Sequence, residues 1–112
     1  MSRSYSVTIT RYAQAQLREI GRYIAFDLFA PEAAQEQLQQ LRAAAKSLAR
    51  LPARFPLVDR EPWRSEGIRK MVIGNYLLYY WIDEEKQRVS VTAVIHARSD
   101  QAMQLAEMMM NL

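Results

Sequence analysis

Residues 76–82, Tyr-Leu-Leu-Tyr-Tyr-Trp-Ile, contain no polar position that could face water. A strand of this kind needs cover on both faces and a neighbour along each edge. The flanks name two of those neighbours. Gly74-Asn75 before it suits a two-residue hairpin turn with a positive φ, which pairs residues 76–82 with Ile68-Arg69-Lys70-Met71-Val72-Ile73. Asp83–Gln87 after it is a polar turn leading into residues 88–95, where Val89, Val91, Ala93 and Ile95 alternate with Ser90 and Thr92. That alternation places the four apolar residues on one face. The meander then delivers His96, Arg98 and Asp100 just past its last strand, where a rigid sheet hands over to a loop.

The cover must come from the rest of the chain. Tyr5–Thr10 alternates as a first strand, with Tyr5, Val7 and Ile9 on one side. Thr10 is placed to cap a helix carrying Ala13, Leu17, Ile20 and Ile24 at helical intervals. Pro31 and Glu32 mark the first turn of a second helix, whose stripe of Ala34, Leu38, Leu41, Ala45 and Leu48 predicts an antiparallel hairpin with the first. Residues 52–66 hold three prolines and no steady period, so they form a loop, pinned to the core by Phe55, Leu57, Val58 and Trp63. Ser99 is placed to cap a last helix, with Ala102, Leu105, Ala106 and Met109 on its apolar side. The expected architecture is an α+β domain over residues 1–112, in the order β-α-α-β-β-β-α. It has a small twisted antiparallel sheet, an N-terminal helical hairpin on one face and a C-terminal helix.

Composition excludes several classes. No apolar run is long enough for a membrane span, and the N-terminus lacks the apolar core of a signal peptide, so the expected compartment is the cytoplasm. Without cysteine there is neither a disulfide framework nor a thiolate metal site. No phosphate-binding glycine loop, metal spacing or nucleophile elbow is present, and no cofactor is expected. The net charge of +3 is the balance of 15 cations, most of them arginine, against 12 anions, which mildly favours an acidic partner.

The chain resembles toxins of the RelE/ParE superfamily, the toxic halves of bacterial type II toxin–antitoxin modules, some of which serve plasmid stabilization. The likeness runs through nearly the whole chain and is most specific in Gly67–Lys70 (GIRK), the tyrosine-rich strand, and the His-x-Arg-x-Asp ending at His96, Arg98 and Asp100. It implies a cognate antitoxin protein as partner and one of two targets. RelE-like members cut messenger RNA on the ribosome; ParE-like members poison DNA gyrase and cut nothing. The leading expectation is the ribosome-dependent endoribonuclease, with gyrase inhibition, or an inactive antitoxin-binding module, as alternatives. For RNA cleavage the resemblance assigns Arg69 to the scissile phosphate, His96 to proton transfer and Arg98 to a second phosphate contact, with Glu66 or Glu61 as orienting or accepting carboxylate. Ala97 stands where the histidine-bearing nucleases carry tyrosine, and residues 52–66 contain no lysine. The plainer roles are a salt bridge from Arg69 to Glu66 or Asp100, a sheet-end contact for His96, and core positions for Tyr76, Tyr79, Tyr80 and Trp81.

Overall fold

The computed structural model describes residues 4–99 and 101–110. Strand β1 (Ser6–Ile9) leads into helix α1 (Arg11–Arg22), and helix α2 (Pro31–Ser47) returns antiparallel along it. Strands β2 (Arg69–Ile73), β3 (Tyr76–Asp83) and β4 (Arg88–His96) form the meander, and helix α3 (Gln101–Met110) closes the chain. The sheet order is β1-β4-β3-β2. The α+β class and the element order are as the sequence implies.

Local chemistry sets the boundaries. The Thr10 hydroxyl accepts the Ala13 N–H at 3.2 Å and starts α1. Pro31 occupies the first turn of α2, with Glu32 beside it. Gly74 alone of the turn pair takes a positive φ, 58°, as a turn with glycine at its first central position requires. The helices approach closely at Gly21, where an added Cβ would lie 2.9 Å from Leu38 Cδ1.

One pairing departs from the antiparallel sheet expected. Strand β1 runs parallel to β4, with Ser6 opposite Arg88 and Ile9 opposite Val91. The helical hairpin carries the chain back to its starting end, so β1 and β2 share a direction, and two reversals in the meander give β4 that direction too. The sheet is therefore mixed.

A second departure lies within β4. Tyr79 pairs with Ala93, but Tyr80 pairs with Val91, so Thr92 is an extra residue with no partner on β3. This is a β-bulge, and it reverses the side-chain phase of the strand. Val89 and Val91 join Leu78, Tyr80, Leu17, Leu41 and Leu48 in the core beneath the helical hairpin. Ala93 and Ile95 instead join Leu77, Tyr79, Leu105 and Met108 in a second core on the opposite face. The regular alternation read from the sequence thus holds only up to Val91. Thr92 is fully buried, and its hydroxyl donates towards the Tyr79 carbonyl (3.3 Å) and Met108 Sδ (2.9 Å).

The second core is covered by α3 and by residues 52–68. The buried face of α3 is Leu105 and Met108 with Met109 half-covered, whereas Ala106 is exposed. The apolar side expected of this helix is thus rotated; the Ala102 side chain lies outside the described residues. The proline-rich loop is pinned as its apolar residues imply. Val58 is buried, Phe55 packs on the first core and Trp63 on the second. Main-chain bonds from Lys70 N–H to the Pro56 carbonyl (3.1 Å) and Val58 N–H to the Ile68 carbonyl (2.9 Å) lay the loop along the outer edge of β2. No described helix is long and apolar enough to cross a membrane.

Candidate functional site

Strand β4 is nine residues long and its outer neighbour β1 only four. Pairing between them ends at Val91, so beyond that point the outer edge of β4 has no strand beside it. An open cleft of about 1060 Å³ occupies the gap, walled by α1 and the turn after it, floored by Tyr76, Val94 and Ile95, and reaching His96 and Arg98. The bulge at Thr92 decides what the cleft contains. By shifting the phase it turns Val94 to the hairpin side, and His96, two residues on, follows it.

Polar contacts fix the rim. Gln16 of α1 takes the place of a missing strand: its Oε1 accepts the Val94 N–H at 2.7 Å, while its Nε2 donates to Gln104 Oε1 on α3 at 3.3 Å. The Tyr12 hydroxyl reaches Gln104 and Glu107 at 3.3 and 3.1 Å, and burial together with Glu107 raises its pKa. His96 Nδ1 accepts the Arg98 N–H at 3.0 Å. In its neutral form the ring therefore carries its proton on Nε2. The imidazole also stands edge-on to Tyr76, with ring centroids 5.3 Å apart. Burial, with a smaller contribution from Tyr23, raises the Tyr76 pKa above its ordinary value.

His96 and Arg98 thus share the cleft, as their spacing suggests. Arg69 and Glu66 are elsewhere. Ile73, Tyr76 and His96 form one row across the sheet, while Arg69 lies in the row of Tyr80 and Val91. The rows are separated by four residues of β2, about 13 Å at the rise of a strand. The Arg69 guanidinium is also occupied: Nη1 donates to the carbonyls of Phe55 (2.7 Å) and Ala53 (3.3 Å). Among the described residues its partners are carbonyls, not the Glu66 carboxylate; the Asp100 alternative lies outside the described residues. Glu66 is exposed on the loop before β2, and its N–H bonds the Pro62 carbonyl. Glu61 accepts the Ser65 N–H at 2.9 Å, and hydrogen bonding from the Ser65 side chain, then from this N–H, holds its carboxyl below the usual range. The described residues contain no group of three or more His, Cys, Asp or Glu able to hold a metal ion.

Residue types did not lead to two features of the site. Gln16 looks like any solvent-facing helix residue, and only the unequal lengths of β1 and β4 demand a side chain there. The chain after α1 does carry a signal, the run Tyr23-Ile24-Ala25-Phe26-Asp27-Leu28-Phe29, which is too apolar for a free turn. Residues Tyr23–Asp27 wind as a π-helix, and Phe29 follows with φ 52°.

The fold is similar to that of chains in solved toxin–antitoxin structures. A chain of the chromosomal ParDE TA system from P. aeruginosa superposes with a TM-score of 0.70 over 85% of this chain and 98% of its own, at 18% identity, a likeness of fold. A chain of the toxin–antitoxin complex RelBE2 from Mycobacterium tuberculosis gives 0.60 over 84% and 92%, at 25% identity. No curated protein sequence matches. The fold is that of the RelE/ParE toxin superfamily. Residues 7–101 match the ParE toxin of the type II toxin-antitoxin system, parDE, and the chain belongs to that family.

Proposed function

We propose that this toxin arrests growth by binding DNA gyrase in the cytoplasm, cutting no nucleic acid itself, and that a cognate antitoxin neutralises it. The observation that carries this reading is the position of Arg69. Cleavage of RNA needs a cation on the scissile phosphate within reach of the proton-transfer groups. Here the guanidinium is bonded to the Phe55 and Ala53 carbonyls, in a row about 13 Å along the sheet from His96. A gyrase inhibitor needs no such convergence; it needs a surface. Membership of the ParE family supports the same conclusion. The antitoxin is supported by the relatives, both taken from toxin–antitoxin systems.

The RNA-cleavage expectation remains the second reading, favoured by His96 and Arg98 on one open cleft. In that reading Arg69 and Glu66 act after the loop over residues 53–58 has moved.

Purified toxin added to gyrase, relaxed plasmid and ATP tests the two. Inhibited supercoiling, with messages intact by primer extension in induced cells, is the expected result. Cut messages with active gyrase would replace it with the second reading. Unimpaired growth on induction would leave only an inactive antitoxin-binding module.

A further inference from the structure

The positive charge of the chain is gathered in one stretch. Residues 42–70 hold eight cations and three anions, a local net charge of +5 in a chain whose total is +3. The stretch begins on the C-terminal half of α2, where Arg42 and Lys46 stand one turn apart and exposed. The chain keeps winding past the helix, with Ala49 N–H bonded to the Lys46 carbonyl and Arg50 N–H to the Ser47 carbonyl, and so adds Arg50. The three cations spread over about 12 Å at the rise of a helix. Their side chains have no hydrogen-bond or ion-pair partner among the described residues, where the one ion pair joins Arg22 to Glu19.

Cations at a helix C-terminus ordinarily serve its dipole. Here Arg54 does so. Its Nη1 donates to the Arg50 carbonyl at 2.6 Å and to the Ser47 and Leu51 carbonyls at 3.3 Å, and its Nη2 reaches the Ser47 hydroxyl at 2.8 Å. The charges of Arg42, Lys46 and Arg50 are left to face outward.

The composition of this face decides what it fits. A protein partner needs an apolar centre to bury. Between Gln35 and Arg50 no large apolar side chain is exposed; Gln39, Ala43 and Ser47 stand among the cations, and Leu51 follows alone. Phosphate contacts need only cations and short polar donors of this kind. A single strand would also need an open ring to stack on, and Phe55 is half-buried with the Arg54 guanidinium 4.7 Å above it. A duplex backbone asks for neither, and over about 12 Å of axis each of its strands presents roughly three to four phosphates.

We infer that Arg42, Lys46 and Arg50 bind the phosphate backbone of duplex DNA without regard to sequence. The face holds the toxin on the nucleic acid that its target works on. The choice of DNA over an RNA duplex rests on the gyrase reading; the phosphate contacts do not.

Fluorescence anisotropy tests it with the full chain, made by cell-free translation, and a labelled mixed-sequence DNA duplex of about 20 base pairs, at about 50 to 200 mM salt. Gyrase is absent, so the outcome is separate from that of the supercoiling assay. The expected Kd is at or below about 100 µM at the lowest salt and rises about 40-fold across the range, as three phosphate contacts require. Arg42→Gln/Lys46→Gln should weaken binding at least tenfold and flatten the log–log salt slope from about 2.7 to about 0.9. Its melting temperature should be unchanged, because both side chains are exposed and unpartnered. Arg50→Gln, outside the helix, should lower the slope by about 0.9 even if the pair proves unstable. Arg22→Gln/Arg60→Gln removes the same charge from the far end of α1 and from the pocket beside Tyr79 and Gln101, and should leave the slope as it is. An RNA duplex bound no tighter than DNA fits a face that touches no bases. Absence of binding up to about 100 µM overturns the inference, as does an equal loss in both charge pairs or an RNA duplex bound more than tenfold tighter. A stripe variant that instead binds antitoxin less well, with no DNA binding by wild type, would assign the face to the antitoxin and likewise overturn it.

Discussion

The Arg69 guanidinium donates to the Phe55 carbonyl at 2.7 Å, joining the first residue of β2 to the proline-rich loop that covers its outer edge. A charged donor on carbonyls of a half-buried loop is a structural tie of the stronger kind.

Arg69→Ala should therefore lower stability by about 1–3 kcal/mol, the usual worth of hydrogen bonds to a charged group. Urea unfolding should show a lower midpoint with an unchanged slope. Inhibition of supercoiling below the melting temperature should persist. A variant as stable as the parent but harmless would move Arg69 from the fold to the target contact.

His96→Gln keeps a polar group of similar reach at the floor of the cleft. The gyrase reading expects growth arrest and supercoiling inhibition within about tenfold of wild type, since no proton is transferred. A proton-transfer role predicts a loss of about 10²–10⁴-fold instead. Dose–response curves for growth on induction, read alongside the supercoiling assay, separate the two.

Thr92→Val tests the bulge. The substitution preserves shape but removes the hydroxyl shared between the Tyr79 carbonyl and Met108 Sδ. Leaving a buried carbonyl short of a donor should cost about 1–3 kcal/mol. Thermal melting of Thr92→Val, Met108→Leu and the double variant should give non-additive losses, because the two side chains share one contact. Strict additivity would mean that the hydroxyl–sulfur contact contributes nothing.

The buried tyrosines predict a response to alkali. Burial pushes the hydroxyls of Tyr79 and Tyr80 above their ordinary value. The folded chain therefore retains phenolic protons at a pH where the unfolded chain releases them, near 10. Their contribution is fully present below that pH and is lost as pH rises through the native values. Guanidinium midpoints should be flat with respect to these groups up to about pH 9 and fall steeply above about pH 10. Tyr80→Phe, which also loses the bond to the Pro52 carbonyl, should start less stable but fall less steeply.

What could be read from the sequence was whatever a local period or cap encodes. Thr10, Pro31 and Gly74 set their boundaries through their own backbone chemistry, and the apolar run of β3 required burial on both faces. The direction of β1 was not encoded that way, because it follows from where the helical hairpin sets the chain down. The phase change in β4 was hidden for a related reason. Val89, Val91, Ala93 and Ile95 alternate without interruption, and Thr92 is as good a strand residue as its neighbours. Only the pairing with β3 shows that it is supernumerary. The candidate site was half legible: His96 and Arg98 are two residues apart and had to be near one another. Whether Arg69 joins them depends on strand register, which residue types do not reveal.

The bulge gives β4 something like a reading frame. Up to Val91 the strand is read by the helical hairpin, and from Ala93 the same odd-numbered positions are read by α3. Deleting Thr92 would leave the frame intact, whereas pairing it into the ladder would restore uniform alternation along the numbered chain and put everything downstream out of frame. Val94 and His96 would turn toward the α3 side, Ala93 and Ile95 toward the hairpin, and Gln16 would lose the N–H it now accepts. A loop would absorb one extra residue unnoticed; in this strand, pairing it instead of bulging it out would exchange two cores and remove His96 from its cleft. One unpaired threonine in mid-strand thus decides which face of the molecule carries its only histidine.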